Sequence, residues 1–252
     1  MSPLQPALLL VSAGVVAGVI GSGGGVTSLV SYPALLAVGI PPLPANIANL
    51  VAGVAIAPGA ALSSRRELAD AGSSLLRLLP VTAAGTVLGA GLLLITSPGV
   101  FARVVPFLVL TGSVILVIQP VLLKLRSRDD AEGSPVFPVV LLVGAVSVYG
   151  GYFGAGSGVM LLAVLLLLVD SRVPPANAIK NMLLGMMSIA AAAVFITVRS
   201  VPWSAVIPLA GGLLVGSSVG PIIVRHLPPS LVRWIAAGFG LILAVYLWLH
   251  PG

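Results

Sequence analysis

The sequence predicts an all-α polytopic membrane protein made of two inverted repeats, each a broken, re-entrant helical hairpin followed by three transmembrane helices. Three observations lead to this fold class. The composition is strongly apolar, the apolar segments have the lengths of membrane spans, and a glycine-rich motif occurs once in each half of the chain.

The composition is that of an integral membrane protein. Of the 252 residues, 58% are hydrophobic and 7% are charged, and the mean hydropathy is +1.19. Soluble domains carry roughly 25% charged residues. The first charged residue is Arg65, so the N-terminus lacks the basic region of a cleavable signal, and we expect the first apolar segment to remain in the mature protein.

The composition also excludes several kinds of chemistry. The chain has no cysteine and two histidines, so disulfides, thiol catalysis and cysteine-based metal sites are excluded, and we expect neither a metal nor another cofactor. The basic residues that give the net charge of +6 are spread between the apolar segments and do not cluster on one face, which argues against nucleic acid as a partner. The expected partners are a small anionic substrate and the lipid bilayer, with a homo-oligomer possible.

The glycine-rich motif is the most distinctive feature of the chain. It spans Gly18 to Val26 and returns from Gly151 to Val159, with five identical residues each 133 positions later. Glycine tolerates positive φ and close approach of another backbone at several neighbouring positions. Two such clusters inside apolar helical sequence therefore predict that each repeat contains a deliberately broken helix.

The first repeat occupies residues 1–123. Residues 5–40 form an apolar segment too long for a single span of ~20 residues, and the glycine motif breaks it. Prolines end this segment. Three ordinary spans follow, at 45–62, 75–95 and 104–123.

The second repeat occupies residues 137–252, after a charged linker at 124–136. It begins again with an overlong segment that contains the glycine motif, at 137–169. Ala45-Asn46 of the first repeat returns as Ala176-Asn177, so the whole half is repeated. Three further spans complete it, at 176–198, 205–224 and 231–249.

The basic residues choose between two topologies. If each broken segment crosses the membrane once, lysine and arginine divide 7 to 5 between the two sides. If each is a hairpin, the division is 10 to 2, with only Arg103 and Arg199 on the minority side. The positive-inside rule favours hairpins, which makes the repeats inverted and places the termini outside and the linker in the cytoplasm.

The length of the hairpin arms predicts their depth. Each arm is expected to contain about 14 residues and to measure roughly 21 Å, less than the ~30 Å hydrocarbon core. The arms are therefore either tilted or re-entrant with glycine tips near the middle of the membrane. We expect re-entrant arms, since broken backbone at that depth must be buried in protein or line a cavity.

The tips and the polar residues nearby are candidates for a substrate site. The helix that follows each tip directs its N-terminal N–H groups into the gap between the tips, an arrangement that favours an anion. Hydroxyl and amide groups, with Lys180 as a compensating charge, add donors. The candidate binding residues are Gly21, Ser22, Gly23, Gly24, Gly25, Thr27, Asn46, Asn49, Gly154, Gly156, Ser157, Gly158, Asn177, Lys180 and Asn181.

Each of these features has a purely structural alternative. The glycines would also permit close helix packing, and the asparagines would also form hydrogen bonds that fix one helix against another. Lys180 would also extend its ammonium group to the cytoplasmic interface. These alternatives remain open at the level of sequence.

The acidic residues argue against a coupling ion. All six lie in loops or at segment ends, whereas a proton relay or a dehydrated Na⁺ site usually needs a carboxylate within a span. An anion leaving a cell that is negative inside gains ~2.3 kcal/mol per charge per 100 mV, so export needs no coupling ion.

An enzyme is not expected. Ala155-Gly156-Ser157-Gly158 is similar to the Gly-x-Ser-Gly sequence of intramembrane serine proteases, but its first residue is alanine. Neither histidine lies within a predicted span to act as a base, and there is no Gly-x-Ser-x-Gly elbow.

With these motifs in view, the chain resembles the TauE/SafE family of sulfite and organosulfonate exporters. The resemblance extends from about Leu8 to Leu249 and is most specific in the two glycine motifs and in the stretch from Ala176 to Asn181. It implies a permease of the bacterial cytoplasmic membrane that exports a small sulfur oxyanion. One departure is Ala45-Asn46-Ile47-Ala48-Asn49, where the family commonly has hydroxyl residues.

Three functions remain as hypotheses from the sequence. The leading one is export of sulfite or an organosulfonate by alternating access, with the substrate between the two glycine tips. A channel-like or proton-coupled anion importer of the same fold is the first alternative. A membrane scaffold without transport is the more distant one, and the repeated backbone break argues against it.

Overall fold

A computed structural model describes residues 4–63, 72–124, 136–170 and 172–224, with Leu68 and isolated positions from 234 to 249. Secondary structure in these residues is entirely helical. The basic loop at 65–67, the linker from 125 to 135 and most of the last predicted span lie outside the described residues.

The first repeat contains a long and a short helix on the two sides of its break, which together count as its first span, then an interrupted second span and two long helices, the third and fourth spans. The helix pair α1 and α2 is joined at Gly25 and Val26. The helices are α1 (Leu4–Gly24), α2 (Thr27–Ala37), α3 (Pro42–Ala52), α4 (Ile56–Ser63), α5 (Gly72–Ile95) and α6 (Pro98–Lys124).

The second repeat follows the same order. Its helix pair is joined at Phe153 to Gly156, and two long helices follow. The helices are α7 (Val136–Tyr152), α8 (Ser157–Leu168), α9 (Val173–Val198) and α10 (Trp203–Val224).

Five helices in the described ranges are long and apolar enough to cross a membrane. This agrees with the predicted all-α polytopic membrane protein. The qualifying stretches are Leu4–Ser22, Ser74–Ile95, Pro98–Ile118, Val173–Val198 and Trp203–Gly220.

The expectation of equal hairpin arms of about 14 residues was wrong. Helix α1 has 21 residues and α2 has 11, while α7 has 17 and α8 has 12. The first arm is the longer one because the glycine run stays helical as far as Gly24. Gly18 uses its missing side chain for close packing, since an added Cβ would lie 2.8 Å from the carbonyl oxygen of Leu213 in α10.

The expectation of an ordinary span at 45–62 was also wrong. A 3₁₀ turn at Gly53–Ala55 separates α3 from α4. Pro58 lies in α4 and has no N–H to donate to Val54, and its ring crowds that carbonyl group. The ladder of α-helical hydrogen bonds is therefore interrupted one turn before the proline.

The two repeats are interleaved. Helix α1 packs most extensively against α10, and α7 packs against α5, so the first helix of each repeat lies on the third span of the other. Small residues make both contacts close: Gly14 meets Gly212, Gly18 meets Gly216, and Gly89 meets Val148.

The second spans of the two repeats run antiparallel where they meet. A Cβ at Gly53 would collide with Ser188 of α9, while a Cβ at Gly185 would collide with Ala57 of α4. Residue numbers thus rise along one element as they fall along the other, which is the relation that inverted repeats require. The orientation of the chain in the bilayer stays a prediction.

Candidate functional site

The two glycine tips touch each other through their backbones. A Cβ added at Gly25 would lie 2.5 Å from the carbonyl carbon of Gly158, and one added at Gly158 would lie 2.5 Å from the carbonyl oxygen of Gly25. These two glycines are equivalent positions of the repeat, 133 residues apart. The two repeats therefore touch at equivalent positions of their glycine motifs.

The tips need glycine for their conformation as well as for this contact. The φ angles of Gly25, Gly154 and Gly156 are 73°, 84° and 86°, in the left-handed region. An L-residue there is strained by roughly 1–2 kcal/mol. The glycine motif thus ends each first arm and turns the chain into the next helix.

Two helices begin beside the contact, α2 at Thr27 and α8 at Ser157. Neither has a side chain that caps its N-terminus. The Ser157 hydroxyl instead donates back to the carbonyl oxygen of Gly154, at 2.7 Å. In the first turns, the N–H groups of Leu29, Ser157 and Val159 already donate to the carbonyl oxygens of Val26, Gly154 and Gly156. An acceptor between the tips would therefore use only part of the N–H groups that a helix N-terminus offers.

A cavity of about 30 Å³ adjoins the meeting point. It has room for at least one water-sized group. None of its lining residues is charged, and its polar groups are hydroxyl, amide and backbone groups. Ser28 lines it together with six residues singled out from the sequence, namely Gly25, Thr27, Asn49, Gly154, Ser157 and Gly158.

The sequence did not identify the rest of the cavity wall. Ser188 is the most informative of these residues, because it is buried and polar and lies seven positions after Asn181 on the same face of α9. That helical spacing was the available signal. The other residues of the wall are Leu50, Gly53, Ile56, Gly150, Leu184, Met187 and Leu213.

The side chain of Lys180, in α9, contacts the C-terminal end of α1 and does not line the cavity. Its side chain is fully buried, and Nζ donates to Gly21 O at 3.2 Å, to Ser22 O at 3.3 Å and to Asn177 Oδ1 at 2.7 Å. Three acceptors match the three N–H donors of an ammonium group. The positive charge is thereby placed on the negative end of the helix dipole.

Two asparagines of α9 complete this cluster. Asn177 Nδ2 and Asn181 Nδ2 both donate to Ser22 O, at 2.8 Å and 3.2 Å. The broken end of α1 is therefore held by side chains of the other repeat. The snorkelling alternative for Lys180 does not describe this geometry, since the ammonium group is buried among protein acceptors.

The first repeat holds the end of α7 in a related way. Asn46 Nδ2 donates to Tyr152 O at 2.9 Å, while Asn46 Oδ1 is buried and has no hydrogen-bond partner. Asn49 does not contact the end of α7 in this way; its Oδ1 accepts a hydrogen bond from Ser31 Oγ of α2, at 2.5 Å. Asn49 thus lines the cavity while Asn46 contacts the helix end.

The remaining candidates surround the tips without lining the cavity. Gly21 is buried against Thr27, and the Ser22 hydroxyl donates to Val19 O at 3.0 Å. Gly156 packs against Gly112 of α6. Of Gly23 and Gly24, only their place at the end of α1 is described.

A tyrosine fixes the second tip against α6. Tyr149 OH lies 2.7 Å from Ala155 O, within the tip, and 3.0 Å from Leu108 O of α6. Phe153 of the same tip packs edge-on against Tyr32 of α2, with 5.5 Å between ring centroids. The second tip is thus held by contacts with α6 and α2.

Comparisons with known proteins find relatives that match nearly the whole chain. The chain is 28% identical over 239 residues to the probable membrane transporter protein ORF9 of a Sinorhizobium species, which covers 94% of this chain and 90% of the relative. It is 26% identical to a probable membrane transporter protein of Haemophilus influenzae, over 89% of this chain and 88% of the relative.

A third relative is the probable membrane transporter protein YfcA of Escherichia coli, 26% identical over 92% of this chain and 86% of the relative. No solved structure shows a significant match. The profile described as sulfite exporter TauE/SafE matches residues 7–247, nearly the whole chain. The chain is a multi-pass membrane transporter and belongs to the sulfite exporter TauE/SafE family.

Proposed function

We propose that the protein exports a small sulfur-containing oxyanion, such as sulfite or an organosulfonate, by alternating access. The substrate would bind between the two glycine tips. One observation carries this proposal: two uncapped helix N-termini meet beside a cavity whose polar groups are neutral hydroxyl, amide and backbone groups and which no carboxylate lines.

The chemistry of the cavity suits an oxyanion. Helix N-termini offer several N–H donors and a partial positive charge, and they bind sulfate-like and carboxylate groups. Thr27, Ser28 and Asn49 add further donors. The small volume of the cavity suits an occluded state, which the antiparallel second spans would open by moving against each other.

The proposed setting is the bacterial cytoplasmic membrane, with both termini outside and residues 124–136 in the cytoplasm. A membrane potential that is negative inside would then drive an anion outward without a coupling ion. Because the chain has no cysteine, a single cysteine at position 130 reports the orientation. Labelling of this cysteine by an impermeant reagent from the periplasm would overturn the proposed orientation.

The experiment is a flux assay in proteoliposomes with sulfite, sulfoacetate, sulfate and chloride. We expect voltage-driven flux of sulfite or sulfoacetate, reduced at least tenfold in Thr27→Val, which keeps the shape of the side chain and removes its hydroxyl. Thr111→Val is the matched control, because that hydroxyl is exposed and bonded to Phe107 O within its own helix. Absence of flux for every sulfur oxyanion would refute the proposal.

A further inference from the structure

The asymmetry between the two broken helix ends points to a site beyond the anion cavity. We propose that a monovalent cation of the size of Na⁺ binds at the C-terminal end of α7, on Asn46 Oδ1 and the carbonyl oxygen of Tyr152. This site is inferred from the differences between the two repeats and is independent of the proposed export function.

The first step is the charge at each helix end. The C-terminus of an α-helix carries roughly half a negative charge on its unpaired carbonyl groups. At the end of α1 this charge faces Lys180 Nζ, at 3.2 and 3.3 Å from two carbonyl oxygens. At the end of α7, the described residues supply only the neutral amide of Asn46.

The second step is the equivalence of the residues. Asn46 corresponds to Asn177, 131 positions later, and Asn49 stands three residues after Asn46 as Lys180 stands three residues after Asn177. Both asparagines use Nδ2 to hold a carbonyl group in the last turn of the broken helix of the other repeat. The residue that occupies the lysine position in the first repeat is Asn49, which is neutral and turned to Ser31.

The third step is an unpartnered oxygen atom. Asn177 Oδ1 accepts a hydrogen bond from Lys180 Nζ at 2.7 Å. The equivalent atom, Asn46 Oδ1, is buried without any partner in a side chain that is 0% exposed. It belongs to the same amide group whose Nδ2 contacts Tyr152 O, so it lies at the helix end where the ammonium group is missing.

These three steps identify the chemistry of the ligand. The atoms present are amide and carbonyl oxygens, which suit a hard cation, and broken helix ends can coordinate Na⁺ through their carbonyl groups. A water molecule would satisfy Asn46 Oδ1 but leave the helix dipole uncompensated. The negative end of α7 takes the place of the carboxylate whose absence argued against an ion site at the level of sequence.

A second amide oxygen, Asn181 Oδ1, is also buried without a partner, and it serves as the matched control. It lies at the end of α1, where Lys180 already supplies a positive charge. We therefore expect no ion at Asn181.

The test is thermal unfolding of the purified protein in detergent, in NaCl or choline chloride of equal ionic strength. At a Na⁺ concentration about ten times the Kd of the site, we expect Na⁺ to raise Tm by about 3–6 °C. Asn46→Leu should abolish the rise, and Asn181→Leu should keep it. Equal Tm values for the wild type in both salts, or a full rise in Asn46→Leu, would overturn the proposal.

A gain-of-function variant provides the converse test. Asn49→Lys places a tethered ammonium group three residues after Asn46, as Lys180 stands three residues after Asn177. We expect this variant to lose its response to Na⁺ and to be as stable in choline as the wild type is in Na⁺. If it does not fold, Asn46→Leu and its control still decide the question, and no transported anion is needed for either measurement.

Discussion

Replacing Gly25 by alanine tests the contact between the two tips. The backbone of Gly25 has a φ of 73°, and an alanine Cβ would lie 2.5 Å from C, 2.7 Å from O of Gly158 and 2.8 Å from N of Val159. All three atoms belong to backbone, so no side chain can rotate away. The tips must separate for the methyl group to fit.

The magnitude follows from two contributions. The left-handed conformation costs about 1–2 kcal/mol for alanine, and forcing a methyl group into packed backbone adds roughly 1–3 kcal/mol. Gly25→Ala should therefore lower the free energy of unfolding by about 2–5 kcal/mol. At about 2–4 °C per kcal/mol, the fall in Tm is readily measured.

Gly39→Ala separates the two contributions. Gly39 has a φ of 85°, but nothing lies within 4 Å of its Cβ position, so this variant bears only the conformational cost of about 1–2 kcal/mol. Thermal unfolding of both variants, with flux of sulfite as a second readout, gives the difference. If Gly25→Ala is no less stable than Gly39→Ala, the tips do not touch as described and the reasoning fails.

Three further predictions concern buried and exposed polar groups. Lys180→Met should lower the free energy of unfolding by roughly 2–4 kcal/mol, because it leaves Asn177 Oδ1 without its donor and removes the positive charge from the negative end of α1; an unchanged Tm would contradict this role. Thr86→Val should be neutral or stabilising by up to about 1 kcal/mol in chemical unfolding, because the Thr86 hydroxyl is buried without a partner, and destabilisation would reveal a missed hydrogen bond. The hydrogen bond from Arg172 holds the pKa of the Asp170 carboxyl group below its usual value in the folded protein. The pair therefore stabilises the protein at pH values above the pKa that Asp170 has in the unfolded chain, and this effect is lost as the pH falls through the lower pKa of the folded protein. Asp170→Asn should therefore cost less than about 1 kcal/mol at neutral pH and nothing at pH values well below about 4, and a larger loss in acid would contradict this sign.

The glycines of the site could be predicted from the sequence, whereas the roles of its polar residues could not. Glycine is required wherever φ is positive or backbones meet, so Gly25, Gly154 and Gly158 were identifiable from their clustering alone. The polar side chains were identifiable as a group but not in their roles. Asn49 lines the cavity, whereas Asn177 and Lys180 bind the end of α1.

The sequence by itself determined the membrane class, the two broken helices and the equivalence of the halves. These properties follow from composition and from the order of residues along the chain, and they do not require knowledge of which residues are in contact. Only the tertiary structure decided which polar groups face the cavity, because the partner of each lies in the other repeat, 159 residues away for Lys180 and Gly21. It also decided the unequal lengths of the arms, since α1 continues through the glycine run to Gly24 whereas α7 ends at Tyr152, near the start of its own glycine run.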